Sequence, residues 1–295
     1  MYYKNPKYRI FYFINSIFLI FISLLCIFPL IHILAVSFSS GAAASANLVS
    51  LWPVHFTWDA YQKTLGDNHF LLSIWNSSVR VGLGVTLGMM VTLLTAYPLS
   101  KIGAREMKGR VWMTWYFVFP MLFSGGLIPF YILVQKLGLI NSIWVLILPG
   151  LAGTWNIILL INFLRALPRE LEEASLVDGA GHFRTLISIY VPLSMPAIAT
   201  LSLFVAVGHW NSWFDGLIFL SDKAKWPLST LLQTLIVMPD PTKLQNNMDP
   251  RILENFSQQT VKAAQIFIGS LPILAVYPFL QRYFVKGIVI GAVKE

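Results

Sequence analysis

Charged side chains are scarce in this chain of 295 residues. Asp, Glu, Lys and Arg make up 12 % of it, and 56 % is hydrophobic. Soluble domains carry about twice that share of charge. The mean hydropathy of +0.67 points in the same direction. A chain with so few charges lacks the material for a fully hydrated surface, so we expect its apolar side chains to face lipid.

Several residues and motifs of catalytic sites are also missing. The only cysteine is Cys26, inside an apolar run, which excludes an intrachain disulfide and a cysteine-based metal site. The five histidines are scattered, and no His, Asp and Glu group has metal-ligand spacing. The sequence has no Gly-Lys pair for a phosphate-binding loop and no G-x-S-x-G nucleophile motif. We therefore predict that this chain is not an enzyme and holds no metal and no cofactor.

What the sequence does contain is a set of long apolar stretches. About 20 residues are needed to cross roughly 30 Å of hydrocarbon as a helix. Six stretches meet this requirement, at approximately 11–36, 76–99, 111–135, 143–164, 186–209 and 262–282. The predicted fold class is an all-α polytopic membrane protein with six transmembrane helices in a single domain, 1–295.

The first apolar run could be mistaken for a secretory signal. It extends over residues 10–36 without a formal charge. The apolar region of a signal peptide is about 7–15 residues long. Because this run is much longer, we expect an uncleaved first transmembrane helix.

The basic residues predict the orientation. The net charge is +8, and the bases flank apolar spans instead of clustering on a polar domain. This favours an anionic membrane surface over a nucleic acid as the partner. With the N-terminus inside, 13 of the 21 Lys and Arg residues fall on inner segments. We therefore expect both termini and the loop 165–189 in the cytoplasm, and segments 37–75 and 215–261 outside the cell.

The centres of the six stretches contain almost no ionisable residues. Carriers driven by protons or sodium usually bury carboxylates or histidines there. We therefore expect the energy for any transport to come from another chain.

The loop 165–189 contains a short acidic pattern. Pro168 suits the first position of a helix, and Glu170, Glu172 and Glu173 in the first turns match the positive end of the helix dipole. Gly179 can adopt the left-handed conformation that ends a helix. The pattern predicts a short helix at the inner membrane surface. A plain surface linker is the alternative.

Small residues follow Glu173 in this predicted helix. Ala174 and Ser175 are small enough to enter a groove of a partner, where Glu173 could pair with a basic residue. The order Glu173-Ala174-Ser175, Gly179 and Ile189-x-Val191-Pro192 resembles E-A-A-x3-G-x9-I-x-L-P, the EAA loop of permease subunits of bacterial ABC importers. The chain departs from this pattern only at Ser175 and Val191.

Other stretches resemble the second permease subunit of maltose-type ABC importers, in particular the branch that serves oligosaccharide or polysaccharide fragments. They are Asp178-Gly179-Ala180, Gly126-Leu127-Ile128-Pro129, Gly208-His209-Trp210-Asn211-Ser212-Trp213-Phe214 and the tail Phe284-Val285-Lys286-Gly287. The resemblance covers the whole chain and implies the type I ABC importer permease fold.

The resemblance also implies partners. In this family the EAA loop docks into a cleft of an ATPase subunit, so it implies ATPase coupling through Glu172, Glu173, Ala174, Ser175, Asp178, Gly179 and Ala180. The implied assembly adds a second permease subunit, two ATPase subunits with their ATP and Mg, an extracellular solute-binding protein and an oligosaccharide. The tail residues Lys286, Gly287 and Gly291 would reach the ATPase pair, or else form a frayed end.

Two groups of residues have the chemistry for binding sugar. Aromatic faces pack on the C–H face of a sugar ring, while amides and carboxylates bind its hydroxyls. Near the outer end of the fifth stretch and in the fourth, the candidates are Trp210, Asn211, Trp213, Asp215, Trp155 and Asn156. Anchoring at the membrane interface is the alternative role for Trp210 and Trp213.

The sequence also has three alternative functional interpretations. The same kind of importer could carry a peptide or an iron chelate. A membrane-embedded enzyme would need paired catalytic polar groups, and the apolar stretches offer none. A channel or scaffold without energy coupling would not respond to an ATPase.

Overall fold

The computed structural model describes residues 6–101, 108–168, 170–237, 258–276 and 278. These residues form helices joined by short turns, with no β-strand among them. The predicted all-α architecture is therefore confirmed for this part of the chain. In chain order the helices are α1 (Pro6–Ser37), α2 (Gly41–Ser45), α3 (Asp59–Gly66), α4 (Asn68–Ser100), α5 (Arg110–Leu122), α6 (Leu127–Lys136), α7 (Thr154–Arg165), α8 (Glu170–Val177), α9 (His182–Leu193), α10 (Met195–Asn211), α11 (Phe214–Phe219), α12 (Leu228–Val237) and α13 (Gln258–Val276).

Three helices are long and apolar enough to cross a membrane unaided: α1, α4 and α13. Three further candidates are bent pairs, which raises the count to six if each pair is one span. The bend is 117° between α5 and α6, 82° between α9 and α10, and 42° between Ile143–Gly150 and α7. Each of the six predicted stretches overlaps one of these candidate spans, and three of the six candidates are bent pairs.

The breaks have identifiable causes in the sequence. Between α5 and α6, Gly126 adopts a positive φ of 84°, which glycine tolerates without strain. Between α9 and α10, Pro192 and Pro196 flank Ser194. Proline has no N–H to donate and clashes with the preceding helical turn. Apolar length alone predicts a continuous helix at both places, because proline is tolerated inside transmembrane helices.

The described residues fall into two compact units, bounded as Met1–Phe70 with Leu232–Leu271 and as Leu71–Leu231 with Pro272–Glu295. In the first unit, an aromatic cluster follows α1. The ring of Phe38 stacks on Phe56 and Tyr61, with Trp58 edge-on to all three. Ser37 and Tyr61 share a hydrogen bond of 2.8 Å. Burial nevertheless raises the pKa of Tyr61 above its usual value.

The main core of the second unit lies between α4, α7, α9 and α10. Its buried members include Leu99 of α4, Leu160 of α7, Leu186 of α9 and Leu201 of α10. Residues three or four apart on each helix face the same neighbour, which gives each helix one stripe toward this core. The packing holds the C-terminal end of α4 beside the start of α9, and this is where α8 attaches.

Candidate functional site

The acidic segment forms the helix predicted for it. α8 begins at Glu170, with Glu172 and Glu173 also in its first turn. After Val177 the chain reaches Gly179, whose φ is +78°. Ala180 N–H donates to the Ser175 carbonyl at 2.9 Å, and Gly179 N–H to the Leu176 carbonyl at 3.1 Å. These are the two bonds of a Schellman motif, so the predicted role of Gly179 in ending the helix is confirmed.

One side of α8 is exposed. Glu173, Ala174 and Asp178 lie on the surface, and Val177 is 87 % exposed. Phe183, at the start of α9, is 70 % exposed. We call Leu171, Glu173, Ala174, Val177 and Asp178 the exposed face of α8. It combines apolar and acidic side chains, as a surface that binds another protein does.

The other side of α8 is attached to the chain itself. Ser175 is buried, and its hydroxyl shares a hydrogen bond of 2.8 Å with Thr185. Sequence reasoning grouped Ser175 with Ala174 as a residue for a partner's groove. The structure places Ser175 against α9 instead, and leaves Ala174 on the exposed face.

Glu172 also points inward and is 7 % exposed. Its Oε2 forms an ion pair with Lys101 Nζ at 2.7 Å and accepts a hydrogen bond from the Tyr190 hydroxyl at 2.9 Å. Lys101 Nζ lies 4.0 Å from the ring centroid of Tyr97 and 4.1 Å from that of Tyr190. We call Glu172, Lys101, Tyr97 and Tyr190 the Glu172 cluster. Sequence reasoning missed its last three members; a lysine directly after a span, four residues beyond a tyrosine, was the available signal.

The residues predicted for a sugar path occupy two places. Trp155 and Asn156 lie in the first turn of α7, directly after the 42° bend, and Trp155 is 60 % exposed. Trp210 and Asn211 form the last turn of α10, and Asn211 is exposed. Trp210 lines a groove of about 290 Å³ between α4, α10 and α13.

Asp215, the carboxylate of that predicted path, is bound within the chain. Its two oxygens accept hydrogen bonds from both terminal nitrogens of the Arg80 guanidinium. The Ser212 hydroxyl and the Gly216 N–H each donate to Oδ1 at 2.9 Å. Arg80 is only 2 % exposed, and it also donates to the Ser212 carbonyl at 3.0 Å. These contacts hold the turn 212–216 to α4 and favour a structural role for Asp215; its role with substrate stays a prediction.

His209 explains one of the glycines in α4. A Cβ on Gly84 would lie 2.4 Å from His209 Nε2, so only glycine leaves room for the imidazole. On its other side, His209 Nδ1 accepts a hydrogen bond from Arg80 Nε at 3.4 Å. Gly84 therefore permits a close contact between α4 and α10.

We expect Gly179→Val to loosen the end of α8. A β-branched residue disfavours positive φ, at a cost of about 1–2 kcal/mol. A Cβ at Gly179 would meet nothing within 4 Å, so the strain is purely conformational. Limited proteolysis should cut the segment 177–182 faster than in the wild type. Gly181→Val is the control, because Gly181 also has open space around it but an ordinary φ of −71°. Equal cleavage of both variants would contradict this interpretation of Gly179.

We expect Asp215→Asn to destabilise the protein in detergent. Removing one partner of a buried ion pair costs about 3–5 kcal/mol, and the cost should be lower here because the Asp215 side chain is 26 % exposed. Thermal unfolding measures the loss. Asp222→Asn is the matched control, since Asp222 is exposed and caps a turn, which asparagine does equally well. An unchanged unfolding temperature for Asp215→Asn would show that the pair with Arg80 does not stabilise the fold.

Similar proteins of known family indicate the function of this arrangement. The family described as binding-protein-dependent transport system inner membrane component matches residues 84–290. Protein LplC of Bacillus subtilis is 40 % identical over 97 % of this chain and 95 % of its own length. The polygalacturonan/rhamnogalacturonan transport system permease protein YtcP of the same species is 36 % identical over 98 % of this chain and 99 % of its own.

A solved structure shows the same fold. A chain of a bacterial ABC transporter involved in the import of the acidic polysaccharide alginate superposes with a TM-score of 0.81 and 31 % identity, over 95 % of this chain and 98 % of that one. The helical architecture described above is thus the fold of an ABC importer permease. This chain belongs to the family of inner membrane components of binding-protein-dependent transport systems.

Proposed function

We propose that this chain is a permease subunit of an ATP-driven importer that carries an oligosaccharide or polysaccharide fragment across the cell membrane. The observation that carries the proposal is α8. It combines an exposed apolar and acidic face with a buried attachment to the membrane helices, and it lies within the EAA pattern of Glu173 and Gly179. Such a helix suits a chain that is moved by a separate motor.

The motor is a pair of ATPase subunits, which bind ATP and Mg. The exposed face of α8 supports this part of the proposal. Val177 offers an apolar side chain and Glu173 a carboxylate within one helical turn of each other. A groove with an apolar floor and a basic rim on the ATPase would accept both. Because the ATPases work in the cytoplasm, α8 and both chain termini lie there too.

The remaining partners follow from the family. Binding-protein-dependent transport requires a solute-binding protein, which would deliver the sugar to segments 37–75 and 215–261 outside the cell. A second permease subunit would complete the path, since the groove beside Trp210 is no larger than the smallest typical ligand pockets of about 300 Å³. The tail residues Lys286, Gly287 and Gly291 lie outside the described residues, and their contact with the ATPases stays part of the proposal.

The substrate class rests on the similar proteins and on side-chain chemistry. YtcP is named for polygalacturonan and rhamnogalacturonan, and the solved structure belongs to an importer of alginate. In this chain, Trp155 and Trp210 offer aromatic faces, and Asn156 and Asn211 offer amides that bind hydroxyls. We propose that the substrate is an oligosaccharide released from an acidic polysaccharide.

Competition in proteoliposomes tests the substrate class. The full importer with its cognate binding protein would take up labelled substrate in the presence of galacturonate oligomers, maltooligosaccharides, peptides or iron chelates. The proposal predicts strong competition from the acidic oligomers and little from peptides or chelates. Competition by a peptide or chelate alone would assign the importer to a different solute.

Glu173→Lys tests the coupling role. Loss of a charged hydrogen bond costs about 1.5–3 kcal/mol, so the affinity of the ATPase subunits should fall roughly ten- to a hundredfold. We expect a normal level of the protein in the membrane, but loss of uptake and of ATPase stimulation by loaded binding protein.

The control for this variant is Glu170→Lys. Glu170 is also exposed and lies in the first turn of α8, so the same charge reversal there opposes the helix dipole equally. Wild-type uptake by Glu173→Lys would remove the coupling role of Glu173. ATPase turnover of the wild-type complex that ignores loaded binding protein would instead indicate a channel or scaffold.

A further inference from the structure

The Glu172 cluster is the point where the exposed helix α8 is bonded to the membrane helices. Lys101 directly follows α4, and Tyr190 lies in α9. The carboxylate of Glu172 forms an ion pair with the Lys101 ammonium group and accepts a hydrogen bond from the Tyr190 hydroxyl. One buried oxygen atom therefore joins α8 to two other helices at once.

Lys101 is fixed in place from several directions. Its side chain is 11 % exposed, and its ammonium group lies over two tyrosine rings at 4.0 and 4.1 Å. Those rings, of Tyr97 and Tyr190, meet edge to face with centroids 5.1 Å apart. A cation over the face of an aromatic ring is attracted to it, and more strongly when water is excluded. The ammonium group therefore lies against two aromatic rings and the Glu172 carboxylate.

This attachment resists both pushing and pulling. Purely apolar contacts allow one surface to slide over another, because they have no direction. The hydrogen bond from Tyr190 is directional, and separating the ion pair in this core would leave a charge buried without its partner, which is strongly unfavourable. A displacement of α8 is therefore passed on to α4 and α9 before the pair opens.

The two helices that receive the displacement differ in stiffness. α4 is one continuous helix, and from Arg80 to Ser100 it extends about 30 Å at 1.5 Å per residue. Near Arg80 it is bonded to Asp215, beyond the end of α10. The path through α9 and α10, by contrast, is bent by 82° at Ser194. The connection between the two ion pairs that has no such break is α4.

We propose that Glu172 and Lys101 form the joint through which α8 and α4 move as one body, so that movement imposed by the ATPases reaches Arg80 within α4. Glu172 is then a positioning residue, distinct from Glu173, which faces the partner. This inference rests on the proposed function. The two adjacent glutamates then have different roles: Glu173 binds the ATPase, and Glu172 binds the membrane helices.

The test compares variants of the joint in the complete importer, reconstituted with its second permease, ATPases and binding protein. The measured quantity is the number of substrate molecules transported per ATP hydrolysed. For Glu172→Gln and for the apolar pair Glu172→Leu/Lys101→Met, we expect this ratio to fall at least about fivefold, the lower end of typical coupling factors. Lys101→Arg, which keeps the cation, should retain most of the ratio.

Two controls separate a joint from a structural role. Replacing a buried ion pair with apolar residues often preserves stability, so the apolar pair should unfold at the wild-type temperature and still assemble with the ATPases. Glu170→Gln, on the same turn but exposed, should transport normally. If the apolar pair fails to assemble, Glu172→Gln alone decides, because glutamine has the same size and its amide oxygen can still accept from Tyr190, while the charge that pairs with Lys101 is lost.

The proposed role of Glu172 and Lys101 would be contradicted if an assembled Glu172→Gln or apolar-pair variant transported as many substrate molecules per ATP as the wild type. Its failure is distinguishable from failure of the proposed function. In the first case, wild-type and variant complexes both couple transport to ATP hydrolysis. In the second, the wild-type complex itself does not.

Discussion

A carboxylate removed from water at the base of α8 decides which side of that helix is left for a partner. Glu172 is bonded to Lys101 and Tyr190, so its side of the helix must face the core of the second compact unit. Residues three apart lie on the same side of a helix, which takes Ser175 inward as well. Glu173 and Val177 are then turned outward. The exposed face exists because the opposite face is held by an ion pair.

A second constraint comes from the membrane. Backbone N–H and C=O groups need partners in hydrocarbon, which normally favours uninterrupted helices. Three of the candidate spans are nevertheless bent. α4 differs from these as a continuous helix, with one ion pair at Arg80 and another directly after Ser100. Within the second compact unit, it provides an unbroken helical connection between these two ion pairs.

The sequence predicted the helical class, apolar stretches that overlap the six candidate spans, and a short acidic helix that ends at Gly179. Each of these depends on local rules: apolar length, the helix dipole at Glu170 and the left-handed conformation of Gly179. The side-chain period of a helix would also have predicted that Glu172 and Ser175 share a face. The pairs Lys101–Glu172 and Arg80–Asp215 could not be predicted, because their partners are far apart in sequence and meet only through packing.

The residues that contact sugar could not be predicted from the sequence for the same reason. Trp155 and Asn211 were chosen for their chemistry, and chemistry alone does not separate a sugar contact from an interfacial anchor. Asp215 illustrates the limit: its residue type suits a sugar hydroxyl, yet its oxygens are occupied by Arg80, Ser212 and Gly216. Physical assignment of these residues requires the neighbouring permease surface.

The most direct test of the account is to determine on which side of the membrane α8 lies and whether the ATPase subunits cover it there. Val177→Cys in a Cys26→Ser background places a single thiol on the exposed face of α8. A membrane-impermeant maleimide should label it from the cytoplasmic side alone, and assembly with the ATPase subunits should protect it. Labelling from outside the cell, or labelling from inside that the ATPase subunits leave unchanged, would contradict the account.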